Sequence, residues 1–274
     1  MEEKLRELLP AEWLERFIET KTECLKLSFS NEGELALETS KAGGFGYLPI
    51  DQEYPRHAEN GVPLFLLAQL NFSELPSLPN YPKTGLLAFY VDYVDDLIGL
   101  DFDAPTKQNG FRVLFFEDTS AASYTREQQQ AIQAEINEEL YKVVEGEFKL
   151  TGVKETHYVG SDSYEFKQYF GKTMYEWLDN ISDDDEQREK VYNELSDSAA
   201  GSKLGGYPYF TQEDPRIYEE TTNYDTLLFQ LDTEKVGNDW PIMWGDMGVG
   251  NFFINLEALK SKEFTDVQYN WDCG

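Results

Sequence analysis

Cysteine and histidine are scarce in this 274-residue chain, which has only Cys24, Cys273, His57 and His157. Two cysteines near opposite ends make no disulfide framework, so the sequence reads as that of a protein from a reducing compartment, the cytoplasm. Neither cysteine sits in a metal-ligand spacing, and neither histidine has a second ligand at helical or hairpin spacing. This argues against a zinc centre, a cysteine nucleophile and a histidine triad. Basic residues are also few: 23 Lys plus Arg against 52 Asp plus Glu, a formal net charge of −29. Nucleic acids and anionic leaflets are held through Lys and Arg, so both are disfavoured as partners. A basic protein would instead be steered toward such a surface. No apolar run approaches the roughly 20 residues that span a bilayer. The opening Met1-Glu2-Glu3-Lys4-Leu5-Arg6-Glu7 is charged, unlike a signal peptide. No motif indicates a cofactor.

Aromatic residues are abundant, at 15% of a chain that is 41% hydrophobic. That is enough apolar surface to offset chain entropy despite the charge. The spacing predicts helices at the N-terminus, broken at Pro10, with Leu5, Leu8, Leu9, Trp13, Leu14, Phe17 and Ile18 packing on a sheet. Alternation over 24–30 and 33–39 around Asn31-Glu32-Gly33 predicts a hairpin. Further strands are expected at 64–70, 85–92, 111–117, 148–160, 227–232, 250–256 and 265–271. The capping-box pattern Thr125-Arg126-Glu127-Gln128, followed by Ile132, Ile136, Leu140, Val143 and Val144, predicts a helix, and a second helical block is expected over 172–198. The fold class that follows is α+β in one compact unit, 1–274. Its sheets are mostly antiparallel, with helices at the N-terminus and in the middle of the chain.

A short module occurs twice. Lys41-Ala42-Gly43-Gly44-Phe45-Gly46-Tyr47 returns as Lys203-Leu204-Gly205-Gly206-Tyr207-Pro208-Tyr209. Gln52-Glu53-Tyr54-Pro55-Arg56 returns as Gln212-Glu213-Asp214-Pro215-Arg216, and Leu67-Ala68-Gln69-Leu70 as Leu228-Phe229-Gln230-Leu231, in the same order at nearly equal spacing. The repeats span approximately 41–92 and 203–256, joined by a helix-rich segment, 120–200. Paired glycines mark a tight corner, and the Gly44-Phe45-Gly46 pattern lacks the downstream spacing of a phosphate loop. The Pro-Arg pairs suggest an extended exit from that corner. Gln69 and Gln230 interrupt apolar strands, and a buried amide needs partners. A twofold arrangement would gather Lys41, Gln69, Lys203 and Gln230 around one crevice.

Through these motifs, and through Trp244-Gly245-Asp246-Met247-Gly248, Asn251-Phe252-Phe253-Ile254 and Tyr269-Asn270-Trp271-Asp272-Cys273, the chain resembles the bacterial YwqG-like family of uncharacterised proteins. The resemblance implies an α+β fold and transfers no activity or site. Families similar to it sit near contact-toxin systems, which brings an immunity-like role into view. Asp92, Asp95, Asp96, Asp101 and Asp103 crowd one loop but lack the D-x-D-x-D-G pattern of a calcium loop. Asp246, beside Trp244, could be a general acid or base, or a turn residue. Two functions are therefore weighed. One is a binding protein that neutralises a basic protein partner. The other is a carboxylate-based hydrolase or sugar-active enzyme using Asp246 and Asp232 between the repeats.

Overall fold

The computed structural model describes residues 2–217 and 223–274. Its framework is a ten-stranded antiparallel sheet centred on β1 (Thr22–Ser30) and β6 (Glu147–His157), which pair from Thr22↔His157 to Ser30↔Lys149. On the β6 side lie β2 (Lys41–Gly43), β3 (Phe65–Asn71), β4 (Leu86–Val91) and β5 (Phe111–Phe116), in that order. On the β1 side lie β7 (Lys203–Gly205), β8 (Thr226–Asp232), β11 (Val249–Ile254) and β12 (Gln268–Asp272). A separate two-stranded ribbon joins β9 (Glu234–Val236) to β10 (Asp239–Ile242).

Apolar β-rich runs drive this arrangement, since β4 (Leu-Leu-Ala-Phe-Tyr-Val) and β11 (Val-Gly-Asn-Phe-Phe-Ile) are buried along their whole length. Strands that read apolar throughout must be covered on both faces. The inner cover comes from the sheet itself, which curls until its two wings meet, nearly closing a barrel. Phe89 lies 4.8 Å from Phe229 and 4.7 Å from Phe252 between ring centroids, and Phe111 lies 5.1 Å from Tyr269. Each such pair contributes about 0.5–1.5 kcal/mol beyond its area. Outside, Tyr47 and Leu64 pack over Leu66, Leu86, Ala88 and Tyr90 on one wing, and Phe210 packs over Leu227 and Phe253 on the other.

The helices form a second body. α1 (Glu2–Leu8), α2 (Ala11–Ile18), α4 (Tyr164–Phe170), α5 (Met174–Ile181) and α6 (Asp185–Ala199) share a core in which Phe17, Phe166, Trp177, Val191 and Leu195 are almost fully buried. The N-terminal pair breaks at Pro10 as expected but packs chiefly on other helices rather than on a sheet, with Phe17 stacked 5.3 Å from Tyr158.

Four local expectations are corrected. Residues 33–39 form no strand. β1 pairs instead with β6 and β7, and the 31–40 loop turns its carbonyls inward. The capping box at Thr125 is present, with its Oγ1 accepting from Gln128 N and Gln128 Oε1 accepting from Thr125 N. The helix it opens, α3 (Arg126–Gln133), nevertheless stops long before Val144. Beyond it the chain is drawn out by cross-chain bonds, Tyr141 N to Tyr93 O and Glu145 N to Pro241 O, both 2.7 Å. The 172–198 block is two helices split at Ser182, the latter capped by Asp184 and opening on the acids Asp185 and Glu186, and α4 adds a further helix before it in the helix-rich segment. Finally, Pro215–Ile217 is a short 3-10 turn, not an extended exit. A last helix, α7 (Leu256–Ser261), is capped by Asn255.

Candidate functional site

Lys41 and Gln69 are cross-strand partners on β2 and β3, as Lys203 and Gln230 are on β7 and β8. All four are buried. Gln69 accepts from Tyr47 N (3.1 Å) and donates to Leu37 O (2.5 Å) and Thr39 O (2.7 Å). Gln230 accepts from Tyr209 N (2.8 Å) and donates to Ala199 O (3.2 Å) and Gly201 O (2.8 Å). Each amide thus satisfies the backbone of the segment before its own lysine and of the segment after the paired glycines. The glycines make this corner possible. Gly206 sits at φ +72°, and a Cβ there would lie 2.4 Å from His157 Nδ1.

The lysines differ. Lys41 Nζ donates to Ala36 O, Phe45 O and Glu147 Oε1 at 2.7–3.0 Å. Burial lowers the Lys41 ammonium, although Glu147 offsets part of that. Lys203 Nζ donates to Ala199 O and makes no ion pair among the described residues, and burial draws its ammonium down to about 7. Beside it the His157 ring accepts from Tyr207 N at 3.0 Å and lies 3.0 Å from Ser198 O, and burial holds its pKa near 3. Both β1 and β6 stand between the two lysine-glutamine pairs. The single crevice expected to gather them is therefore absent among the described residues, because each pair is spent inside its own wing.

The remaining candidates also divide. Trp244 is fully buried, stacked 5.8 Å from Trp271. Asp246 is exposed at the turn over which Gly248 N donates to Trp244 O (2.7 Å), and its carbonyl accepts from Gly274 N (3.2 Å). Asp232 is buried, with its carboxylate taking Gly201 N (2.6 Å) and Thr233 N (2.7 Å). Burial raises its pKa to about 6. Among the described residues Asp232 and Asp246 share no hydrogen-bond partner, and neither lines the clefts of about 350 to 930 Å³ beside Tyr175, Tyr54, Tyr81, Arg126 and Phe45.

A more open feature lies where the 93–105 loop, the 138–145 segment, the Trp244–Gly248 turn and the C-terminal strand meet. Trp271 Nε1 donates to Leu97 O (2.6 Å), Tyr269 OH to Ile98 O (3.1 Å) and Tyr269 N to Pro105 O (2.9 Å). The crowded aspartates hold the loop from within. Asp92 accepts from Val94 N, Asp95 from Leu97 N, and Asp101 from Asp103 N and Ala104 N, at 2.8–3.1 Å. Among the described residues no three His, Cys, Asp or Glu side chains form a metal-binding group.

On this scaffold Phe102 (72% exposed), Tyr141, Met247 and Leu97 stand in solvent. Exposed carboxylates neighbour them in the chain: Asp96 beside Leu97, Asp103 beside Phe102, Glu138 and Glu139 before Tyr141, and Asp246 beside Met247. Of these only Asp246 was singled out from the sequence as a binding residue. The overlooked signal was the placement of apolar residues inside an acidic run, as in Asp95-Asp96-Leu97 and Asp101-Phe102-Asp103.

The family model for a domain of unknown function, DUF1963, matches residues 40–273, most of the chain and all but the first helices and β1. The chain belongs to that family. No match was found among curated proteins. No described helix is long and apolar enough to cross a membrane.

Proposed function

We propose that this chain is a cytoplasmic binding protein that neutralises a basic protein partner, in the manner of an immunity protein. The observation that carries this reading is the set of exposed apolar side chains, Leu97, Phe102, Tyr141 and Met247, each within two residues of an exposed carboxylate, on a hydrogen-bonded scaffold. Rigid apolar anchors supply packing energy, and the surrounding charge speeds encounter and selects a cationic surface. The resemblance to YwqG-like proteins, with its toxin-associated relatives, points the same way. No observation favours the carboxylate enzyme, since Asp232 is occupied by backbone N–H groups and Asp246 stands alone.

In this reading the two wings are copies of one unit, 41–92 and 203–256, related by a twofold between β1 and β6. Support comes from matching detail. Ser40 N donates to Glu74 and Ser202 N to Glu234, at 2.7 and 2.9 Å. Ser40 Oγ accepts from Asn71 N and Ser202 Oγ from Asp232 N, at 2.9 and 3.0 Å.

The test is affinity capture from the source organism's lysate, with the wild type and a Leu97→Ser/Phe102→Ser variant side by side. The expected outcome is one basic protein retained by the wild type, released by salt and lost by the variant. Equal retention by both proteins, or retention of acidic proteins only, would refute the reading.

A further inference from the structure

A cleft of about 930 Å³ lies elsewhere, on the outer face of the first wing. Tyr54, Tyr124, Leu114 and Ile132 provide its apolar walls, and Arg56 and Arg112 its cationic groups. In a chain with 52 acidic residues, an arginine left without a carboxylate calls for a reason. Arg56 has one, being forked onto Glu135 at 2.9 and 3.2 Å. Arg112 does not. Its guanidinium makes a single hydrogen bond, Nη2 to Arg56 O at 3.3 Å, and no ion pair among the described residues. Burial lowers its pKa and nothing nearby opposes that. A half-buried guanidinium has five N–H donors to satisfy, and leaving most of them unused is costly.

A second observation comes from β4. Tyr90 is the cross-strand partner of Arg112, is fully buried, and lies in edge contact with Tyr54 at 6.4 Å. Its hydroxyl has no hydrogen-bond partner among the described residues. Of these two neighbouring positions, Arg112 lines the cleft and presents most of its guanidinium fork there, while the Tyr90 hydroxyl is buried beneath Tyr54 and does not reach the lining.

We propose that this cleft binds a small aromatic carboxylate, whose two oxygens are taken by the Arg112 fork and whose ring packs on the apolar wall that Tyr124, Leu114 and Ile132 provide. The planar fork matches a carboxylate in two parallel bonds. Exposed Asp51 and Glu53 on the lining oppose a dianion more than a monoanion, which favours carboxylate over phosphate. The site is independent of the protein-binding face, which draws on β12 and the 93–105 loop.

The test is phenylglyoxal labelling of the wild-type chain, with arginines mapped by mass spectrometry, in buffer alone, with benzoate, with inorganic phosphate and with sodium chloride at matched ionic strength. The expected result is that Arg112 reacts faster than the ion-paired Arg216 and Arg188, and that benzoate slows its reaction several-fold while chloride and phosphate do not. Isothermal titration with benzoate should give heat on the wild type and none on Arg112→Gln. Benzoate that protects no better than chloride, or phosphate that protects as well as benzoate, would overturn the proposal. The labelling arm needs no variant and reads out even where Arg112→Gln folds poorly.

Discussion

At the scale of single residues, the chain shows what a polar side chain costs when the fold encloses it. Lys203 is the clearest case, a buried ammonium whose pKa falls to about 7 from its ordinary 10.5. Between those values the unfolded chain holds a proton that the folded chain has released, so unfolding free energy rises with pH across that window. The folded state is therefore expected to gain stability from about pH 7 to about pH 8.5, at no more than roughly 1.4 kcal/mol per pH unit. Lys203→Met should flatten that slope and be the more stable protein at neutral pH. Urea midpoints of both proteins across this range check it. Parallel slopes would show that the Lys203 ammonium is not penalised. The glutamines give the opposite prediction. Gln69→Leu leaves Tyr47 N and the carbonyls of Leu37 and Thr39 without their partner. A loss of about 2–4 kcal/mol in chemical denaturation is expected from such unsatisfied groups, and a change below the error of the measurement would mean that water replaces the amide.

At the scale of elements, what was legible followed from whether a segment's partners lie close in sequence or far away. The strands around 65–71, 86–91, 226–232 and 249–254 read correctly because both faces are buried and the residues are mostly apolar, and 111–116 read correctly on its apolar run although one face is only partly buried. The Thr125 capping box also read correctly, as a contact complete within four residues. The helix length did not, because Ile136 and Leu140 have helical spacing, whereas just beyond them Tyr141 N and Glu145 N donate to the distant carbonyls of Tyr93 and Pro241. Alternation at 33–39 was equally misleading. That loop is shaped by Lys41 and Gln69 reaching back to its carbonyls, a demand invisible in the loop's own sequence. The candidate sites show the same division. The need of Gln69 and Gln230 for partners was legible from the apolar strands they interrupt, while the pairing of each with its own module's lysine was not, nor was the separation of the two pairs by β1 and β6, which depends on a strand pairing more than a hundred residues apart. Phe102 and Arg112 were missed for a related reason. Exposure of one and want of a partner for the other are properties of the assembled surface.

At the scale of the whole molecule, the order of the ten strands places four on each side of the β1/β6 pair, and the curl of the sheet presses the wings together through Phe89, Phe111, Phe229, Phe252 and Tyr269. This closed body leaves loops at its margins free to carry function. The 93–105 loop is one of them, tied down by the C-terminal strand so that its apolar side chains face outward at little further cost in ordering. The net charge of −29 then acts on association rate more than on complex lifetime. The most direct measurement is the kinetics of the captured basic protein on the wild type, on Asp95→Lys/Asp96→Lys and on Phe102→Ser, each followed over a range of ionic strength by surface plasmon resonance. The expected result is an on-rate that falls about tenfold with salt for the wild type and little for the charge-reversed chain, with Phe102→Ser instead speeding dissociation. Identical rate constants for all three proteins at every salt concentration would place the partner's contact elsewhere and contradict the assignment of this face.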